Sequence, residues 1–277
     1  MAQINAAEVG KLRKMTGAGL MDCKKALSEA EGNLDAAVDV LRKKGIASAA
    51  KKASRDANEG VVAQYISPGA DTGVLVEINC ETDFVAKNED FLRFCEEVAK
   101  KIAEVPDLDL EEFRTSRVAK MGENIVIARH EVLKIKGSGM VAAYIHTGGK
   151  VGVLVEVGAG KSSTVESDEF KQLVRDITLQ IAAAYPVAVS RDQLDPAVVA
   201  KEKEIAAEQF KDKPAQAIEK IVNGKLEKFY QNTCLLDQGF VKRNGDISMK
   251  DHMSEVAKPL EDEISVCRFV RFQVGES

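Results

Sequence analysis

Apolar residues along this chain recur first at helical spacing and then at strand spacing, and the two periods alternate from there on. Ile4, Val9 and Leu12 form one short helical face, interrupted by the two glycines of "TGAGL" (Thr16 to Leu20). Leu20, Cys23, Lys24 and Leu27 open a second helix that ends near Gly32. Asn33 is placed to N-cap a third helix bearing Leu34, Ala37, Val38 and Leu41. Three short helices with tight connections can share one small core. The alanine- and lysine-rich stretch from Arg42 to Arg55 reads as a helical, solvated linker.

The middle of the chain repeats itself. "EGVVAQYISPGADTGVLVEI" starts at Glu59 and "SGMVAAYIHTGGKVGVLVEV" at Ser138. Gly60 aligns with Gly139, Tyr65 with Tyr144, Gly73 with Gly152 and Glu77 with Glu156, all at one constant offset with no gap. The same offset carries "NEDF" from Asn88 onto "SDEF" from Ser167. Each of these opens with an N-cap residue and puts two acids in the first helical turn, where the helix dipole favours them. Val98, Ile102, Ile177 and Ile181 continue the apolar face at helical spacing. Each copy therefore predicts a strand, a turn, a second strand and a helix. The alternation in "VVAQYI" and the apolar run in "GVLVEI" predict antiparallel strands covered on one side.

Between the copies, Leu108 to Lys136 reads as a helix to about Gly122 followed by a strand in "NIVIARHEVLKI". After copy two, Val198, Val199, Ile205, Ala206 and Phe210 mark one amphipathic helix. Ile218, Ile221, Val222, Leu226 and Phe229 mark another, with Lys213-Pro214 between them, which predicts an antiparallel helical hairpin. A short helix near Ser248 to Ala257 and a strand in "EISVCRFVRFQV" return the chain to a sheet. The fold class is α+β: a three-helix module, then a duplicated antiparallel-sheet-plus-helix core with an inserted helical hairpin. The expected divisions are 1–55 for the module and basic linker, 56–138 for copy one with its connecting helix and strand, and 139–191 for copy two. The hairpin takes 192–232, and 233–277 is the return to the core.

Composition narrows the function without naming it. The 277 residues are 45% hydrophobic and 30% charged, an ordinary globular balance. A net charge of −5 carries no basic footprint, so direct nucleic-acid binding by the whole chain is not expected. Cys23, Cys80, Cys95, Cys234 and Cys267 form no C-x-x-C pair and read as reduced thiols of a cytoplasmic protein. "MAQINAAEVGKLRKM" lacks the apolar run of a signal peptide, and no segment approaches the ~20 apolar residues that span a bilayer, so no membrane association is expected. His130, His146 and His252 stand in no recognisable triad or zinc spacing, so neither a catalytic residue nor a metal or cofactor site is expected. His130 and His252 read as surface residues, and His146 lies at a strand end where copy one has Ser67.

The duplication supplies its own control. Between strand and helix, copy one reads "CETDFVAK" (Cys80 to Lys87) and copy two "AGKSSTVE" (Ala159 to Glu166). The shared frame asks only for a polar, flexible turn there, as in copy two. Copy one instead carries Thr82, Asp83, Phe84 and Val85. A lone loop Phe is ordinarily a local core cap, but an equivalent turn that does without it favours an apolar tip for a pocket on another protein. Cys80, just before the turn, reads as a buried inert thiol rather than a redox centre.

"MTGAGLMDCKKAL" (Met15 to Leu27), "TDFVAKN" (Thr82 to Asn88), "MGENI" (Met121 to Ile125) and "YIHTGGKVGVLV" ahead of a helical hairpin occur in this order and cover almost the whole chain. Together they resemble the bacterial elongation factor Ts family. The resemblance implies a guanine nucleotide exchange factor, without covalent chemistry, for elongation factor Tu in its GDP-bound and nucleotide-free forms. It implies that Thr82, Asp83, Phe84 and Val85 disturb the partner's Mg²⁺ site, with Asp83 and Phe84 at the tip. Leu20 and Met21 would touch the partner's nucleotide-binding domain, and His146 another of its domains. In some members the hairpin region contributes to a two-plus-two complex, so self-association stays open. Many members carry a further helix after the final strand, and its contact is expected to be missing here. The first module also resembles ubiquitin-associated domains in its three-helix plan; that likeness transfers no binding partner and leaves a helical adaptor as the rival reading.

Overall fold

The computed structural model describes residues 5–210 and 213–276; Ile4 of the expected first face lies outside them. Helices α1 (Ala6–Thr16), α2 (Leu20–Glu29) and α3 (Leu34–Lys52) form the N-terminal module. Asn5 and Glu8 make a capping box on α1, and the Asn33 side chain accepts from Ala36 N at 3.0 Å to start α3. Leu12, Cys23, Ala26, Leu27 and Ala37 fill the small core between the three helices.

Copy one runs β1 (Glu59–Ile66), β2 (Thr72–Cys80), α4 (Asp83–Ala86), α5 (Glu89–Glu104), α6 (Glu111–Met121) and β3 (Ile125–Lys134). Copy two begins β4 (Gly139–Ile145), β5 (Val151–Ala159), α7 (Ser162–Glu166) and α8 (Asp168–Ala184). The hairpin helices α9 (Pro196–Gln209) and α10 (Ala215–Thr233) follow, then α11 (Met249–Ala257) and β6 (Ile264–Gln273). Two antiparallel three-stranded sheets result, ordered β1-β2-β3 and β4-β5-β6. The fold is α+β.

The duplication reaches further than the strand–turn–strand–helix unit. β3 and β6 pair with β2 and β5 in equivalent registers, with bulges at Glu77/Ile78 and at Glu156/Val157. Beside each bulge a buried glutamate meets an arginine: Glu77 with Arg129 at 2.8 Å and Glu156 with Arg268 at 2.7 Å. Glu77 and Glu156 keep the constant offset of the repeat, whereas Arg129 and Arg268 stand further apart, because the hairpin is inserted before β6. The segment read as a connector between copies is thus the third strand of copy one.

The strands are covered on both faces rather than one. Val61, Val74, Val76 and Ile78 pack against Phe91, Phe94, Val98 and Ile102 of α5. The opposite faces meet each other, Val62, Leu75 and Leu133 against Val141, Leu154 and Phe272. A long apolar run such as "GVLVEI" is what a central strand buried on both sides requires. The join is reciprocal: Val62 N donates to Gly149 O and Val141 N to Ala70 O, each at 2.7 Å. Gly73 and Gly152 allow the approach, since a Cβ on either would fall 2.6 Å from Val141 Cγ1 or 2.5 Å from Val62 Cγ1. Two copies of one unit are therefore joined face to face into one block.

Arg42 to Arg55 is helical as far as Lys52 and mostly exposed, as expected, but it is not a free linker. α3 continues through it to Lys52 and lies along α6, where a Cβ on Gly45 would sit 3.6 Å from Ala119 Cβ. Ala49 is buried in the core of copy one, and Arg42 pairs with Glu112. Small residues permit this close crossing but leave no bulky apolar stripe to read in the sequence. The module is therefore held to the block by a helix. In the hairpin, Ala206 and Leu226 are buried, while Val198 and Ile205, expected in the stripe, are exposed. Val199, Phe229 and Tyr230 seat its base on Ala188, Leu194 and Cys234.

Candidate functional site

Between β2 and α5 the chain makes one short helical turn, α4, capped at both ends. Thr82 is its N-cap, with Oγ1 accepting from Val85 N at 3.3 Å. Asn88 then caps α5, accepting from Asp90 N at 2.9 Å. Two caps so close in sequence bend the chain without glycine or proline, because side-chain oxygens satisfy the amides that each helix start leaves open. On this turn the apolar residues divide. Ala86 is buried and Val85 packs onto the copy-one core, whereas Phe84 is 82% exposed. Phe91 and Phe94, in the first and second turns of α5, are wholly buried. Leaving a Phe in water forgoes the ~1.5–3 kcal/mol that burial supplies, so the fold gains nothing from this side chain where it stands.

Asp83 turns back along the surface to Lys87, Nζ to Oδ2 2.7 Å. That hydrogen bond holds its carboxyl below the usual aspartate value and raises the Lys87 ammonium. Behind the turn, Cys80 Sγ lies 3.2 Å from Thr82 O, and burial, followed by the Glu123 charge, pushes the thiol up to about 12. A thiol so raised stays protonated and unreactive at neutral pH.

Two segments absent from the expected contacts hold the turn. The Glu123 carboxylate accepts from Thr82 N at 3.1 Å and from Thr82 Oγ1 at 2.7 Å. The Glu81 carboxylate accepts from Asn124 N at 2.6 Å, and Asn124 Nδ2 donates to Arg55 O at 2.9 Å. "MGENI" and "CETDF" are thus two halves of one lock. Their co-occurrence was the available signal, but pairing between segments so far apart in sequence leaves no periodicity in the chain.

Leu20 and Met21 are 54% and 62% exposed at the start of α2, with Met15 at 56% nearby in sequence. Lys120 joins their module to the helix after the turn: its side chain lies 3.8 Å from where a Gly17 Cβ would be, and Nζ bonds Asp90 Oδ2 at 2.6 Å in the first turn of α5. The "TGAGL" loop and the start of α5 thus sit one lysine side chain apart. His146 belongs to neither. It is exposed at the β4–β5 tip, Nδ1 3.0 Å from the Tyr144 hydroxyl, beside the Gly148-Gly149 turn. A cleft of about 980 Å³ along β1 runs from Ala86 and Lys87 to Ile145, Gly148 and Gly149, so the Phe84 turn and the His146 tip flank one groove.

The copy-two turn is not the flexible loop expected. Ser162–Glu166 forms a helical turn, α7, in the same place, with Ser163 exposed where copy one has Phe84. Thr164 is buried, so the backbone is pinned inward there as it is at Val85 and Ala86. His130 is exposed, but His252 is not a surface residue: it stacks on Phe240 at 4.2 Å with Nε2 3.3 Å from Asp176 Oδ2. The apolar spacing of α11 gives no hint of this, since His252 packs sideways onto a ring from another segment. Among the described residues no three His, Cys, Asp or Glu side chains are grouped as metal ligands, and no described helix is long and apolar enough to cross a membrane.

Comparison with known proteins gives the family. A family model described as Elongation factor TS matches residues 81–276, beginning within this turn. The chain is 44% identical over 291 residues to Elongation factor Ts of Nautilia profundicola, covering 100% of this chain and 94% of that protein. It is 44% identical over 292 residues to Elongation factor Ts of Clostridioides difficile, with the same coverage. With Elongation factor Ts of Nostoc punctiforme the identity is 43% over 295 residues, again 100% of this chain and 94% of that protein.

Proposed function

The chain belongs to the elongation factor Ts family, and from that premise we propose that it is a translation elongation factor that binds elongation factor Tu·GDP and promotes GDP release. It does so by disturbing the partner's Mg²⁺ site, after which GTP rebinds. The observation that carries the reading is Phe84, 82% exposed on a turn whose backbone is fixed at both ends.

A GTPase holds GDP through backbone N–H groups, a lysine and a Mg²⁺ ion on the phosphate oxygens. Shifting the elements that order the ion leaves phosphate charge less compensated and weakens the grip on GDP. The exchange factor makes and breaks no covalent bond. It needs only to bind the nucleotide-poor partner better than the GDP-bound one, and linkage then requires that nucleotide weaken the factor's own binding by the same ratio. Thr82 to Val85 are the wedge: Phe84 inserts between partner side chains, and Asp83, paired with Lys87 in the free protein, exchanges that surface bond for one to the partner. The face-to-face block supplies the stiffness, since a wedge on a yielding support would move instead of its target.

In this reading the module of residues 1–55 places Leu20 and Met21 on the nucleotide-binding domain, and copy two places His146 on a second domain. The groove along β1 lies between the Phe84 turn and the His146 tip. The protein works in the cytoplasm and binds neither nucleic acid nor membrane directly, and the α9–α10 hairpin is the candidate for any two-plus-two assembly. Stopped-flow release of fluorescent GDP from elongation factor Tu tests the wedge. Truncation of a buried anchor costs ~2 kcal/mol or more, so Phe84→Ala is expected to slow release roughly 30-fold, and unchanged acceleration would defeat the assignment.

A further inference from the structure

The turn that presents Phe84 is clamped from outside by a single carboxylate. Glu123 follows Gly122, the left-handed C-cap of α6, and receives both donors of Thr82, the backbone N–H at 3.1 Å and the hydroxyl at 2.7 Å. The same hydroxyl accepts from Val85 N. The residue that caps α4 is therefore fixed in position by one bond and in rotation by the other. Phe84 lies just beyond it in the chain, with no packing of its own to orient it.

Copy two has the same post. Asp262 Oδ2 accepts from Lys161 N at 3.0 Å just before α7. Lys161 follows Thr82 at the offset that relates the first two strands of each copy, and Asp262 follows Glu123 at the longer offset that relates the third. The duplicated unit thus holds a carboxylate at this post in both halves, while the tips differ, Phe84 against Ser163. This provides a control within one molecule: one clamp holding an exposed aromatic tip and one holding none.

We propose that Glu123 is the positioning residue for Phe84, its carboxylate setting the direction in which the aromatic ring meets the partner. The proposal rests on the reading of Phe84 as the wedge. Glu123 itself does not touch the nucleotide or its metal; it acts through Thr82. A glutamine at 123 can keep both contacts, its oxygen accepting from Thr82 N and its NH₂ donating to the Thr82 hydroxyl, but it removes the charge that strengthens them.

The test compares Glu123→Gln, Glu123→Ala, Asp262→Ala, Phe84→Ala and the Glu123→Ala/Phe84→Ala pair, with fluorescent GDP release from elongation factor Tu and urea unfolding measured on each. Glu123→Ala is expected to lower the acceleration about tenfold, with Glu123→Gln between it and wild type, since bonds to a charged acceptor are the stronger kind. In the Phe84→Ala background the same change is expected to cost less than about twofold, because a missing ring cannot be misdirected. Asp262→Ala is expected to lose stability as Glu123→Ala does, yet to exchange within about twofold of wild type. Equal losses from Glu123→Ala in both backgrounds, or equal slowing by Asp262→Ala, would mean a purely structural clamp and overturn the proposal. So would full-speed exchange by both Glu123 variants alongside a slow Phe84→Ala, an outcome that leaves the wedge itself standing. Full-speed exchange by Phe84→Ala would instead remove the wedge and this proposal with it. Should Glu123→Ala fail to fold, Glu123→Gln carries the comparison in both backgrounds.

Discussion

The ends of β2 and β5 carry nearly the same backbone and very different tips. Both continue into a short helical turn, both turns are tied to a carboxylate ahead of the third strand, and both are followed by an N-capped amphipathic helix. At the outermost position one bears Phe84 and the other Ser163, both exposed. The copy with serine shows that the frame needs no aromatic residue there, so the Phe84 ring is surplus to folding. A duplicated fold thereby separates what a turn needs to be a turn from what it leaves exposed.

Four measurements bear on the pairing of the two turns. The largest effect is expected in the buried frame. Phe91 and Phe170 occupy equivalent sites, both fully buried, and truncating either to alanine should cost ~3–5 kcal/mol in urea unfolding. A large cost in one copy and a negligible one in the other would show that the two do not share a frame. Next come Gly73→Ala and Gly152→Ala, which push a methyl into the opposite sheet and should each destabilise by ~1–3 kcal/mol. Unequal costs would mean the reciprocal join is not symmetric in energy.

Exchanging the tips comes third: Phe84→Ser and Ser163→Phe should each leave the unfolding free energy within ~0.5 kcal/mol of wild type, and Ser163→Phe should add no exchange activity. Destabilisation by Phe84→Ser would return the ring to the role of local core cap. The smallest effect is electrostatic. Asp83 is held below its ordinary value of 3.8 by Lys87, so its contribution is present above that value and fades as pH falls through the lowered midpoint. Carboxyl NMR should show Asp83 titrating below 3.8 in the wild type and near it in Lys87→Met. An identical midpoint in both would mean the pair does not form in solution.

The repeat, the helix caps and the N-terminal module were legible because each depends on neighbours in sequence or on an uninterrupted offset. The third strands escaped as members of the repeat because the inserted hairpin lengthens the offset between them. With the shift allowed, Arg129 falls on Arg268 and Leu133 on Phe272, matches too sparse to catch the eye. Arg42 to Arg55 misled for a different reason. Its closest approach to α6 is made by glycine and alanine, which resemble solvated helix in composition. At the site, Thr82 to Val85 stood out through their contrast with copy two, but Glu123 did not, because a clamp is a relation between distant segments.

If the copy-one tip opens the partner's nucleotide site, giving it the tip of copy two should abolish the effect. The decisive experiment is stopped-flow release of fluorescent GDP from elongation factor Tu, with Asp83 and Phe84 both replaced by the serines of copy two. The acceleration is expected to fall at least roughly 30-fold in a protein that unfolds at the wild-type urea concentration. Release as fast as with the unaltered chain would contradict the wedge.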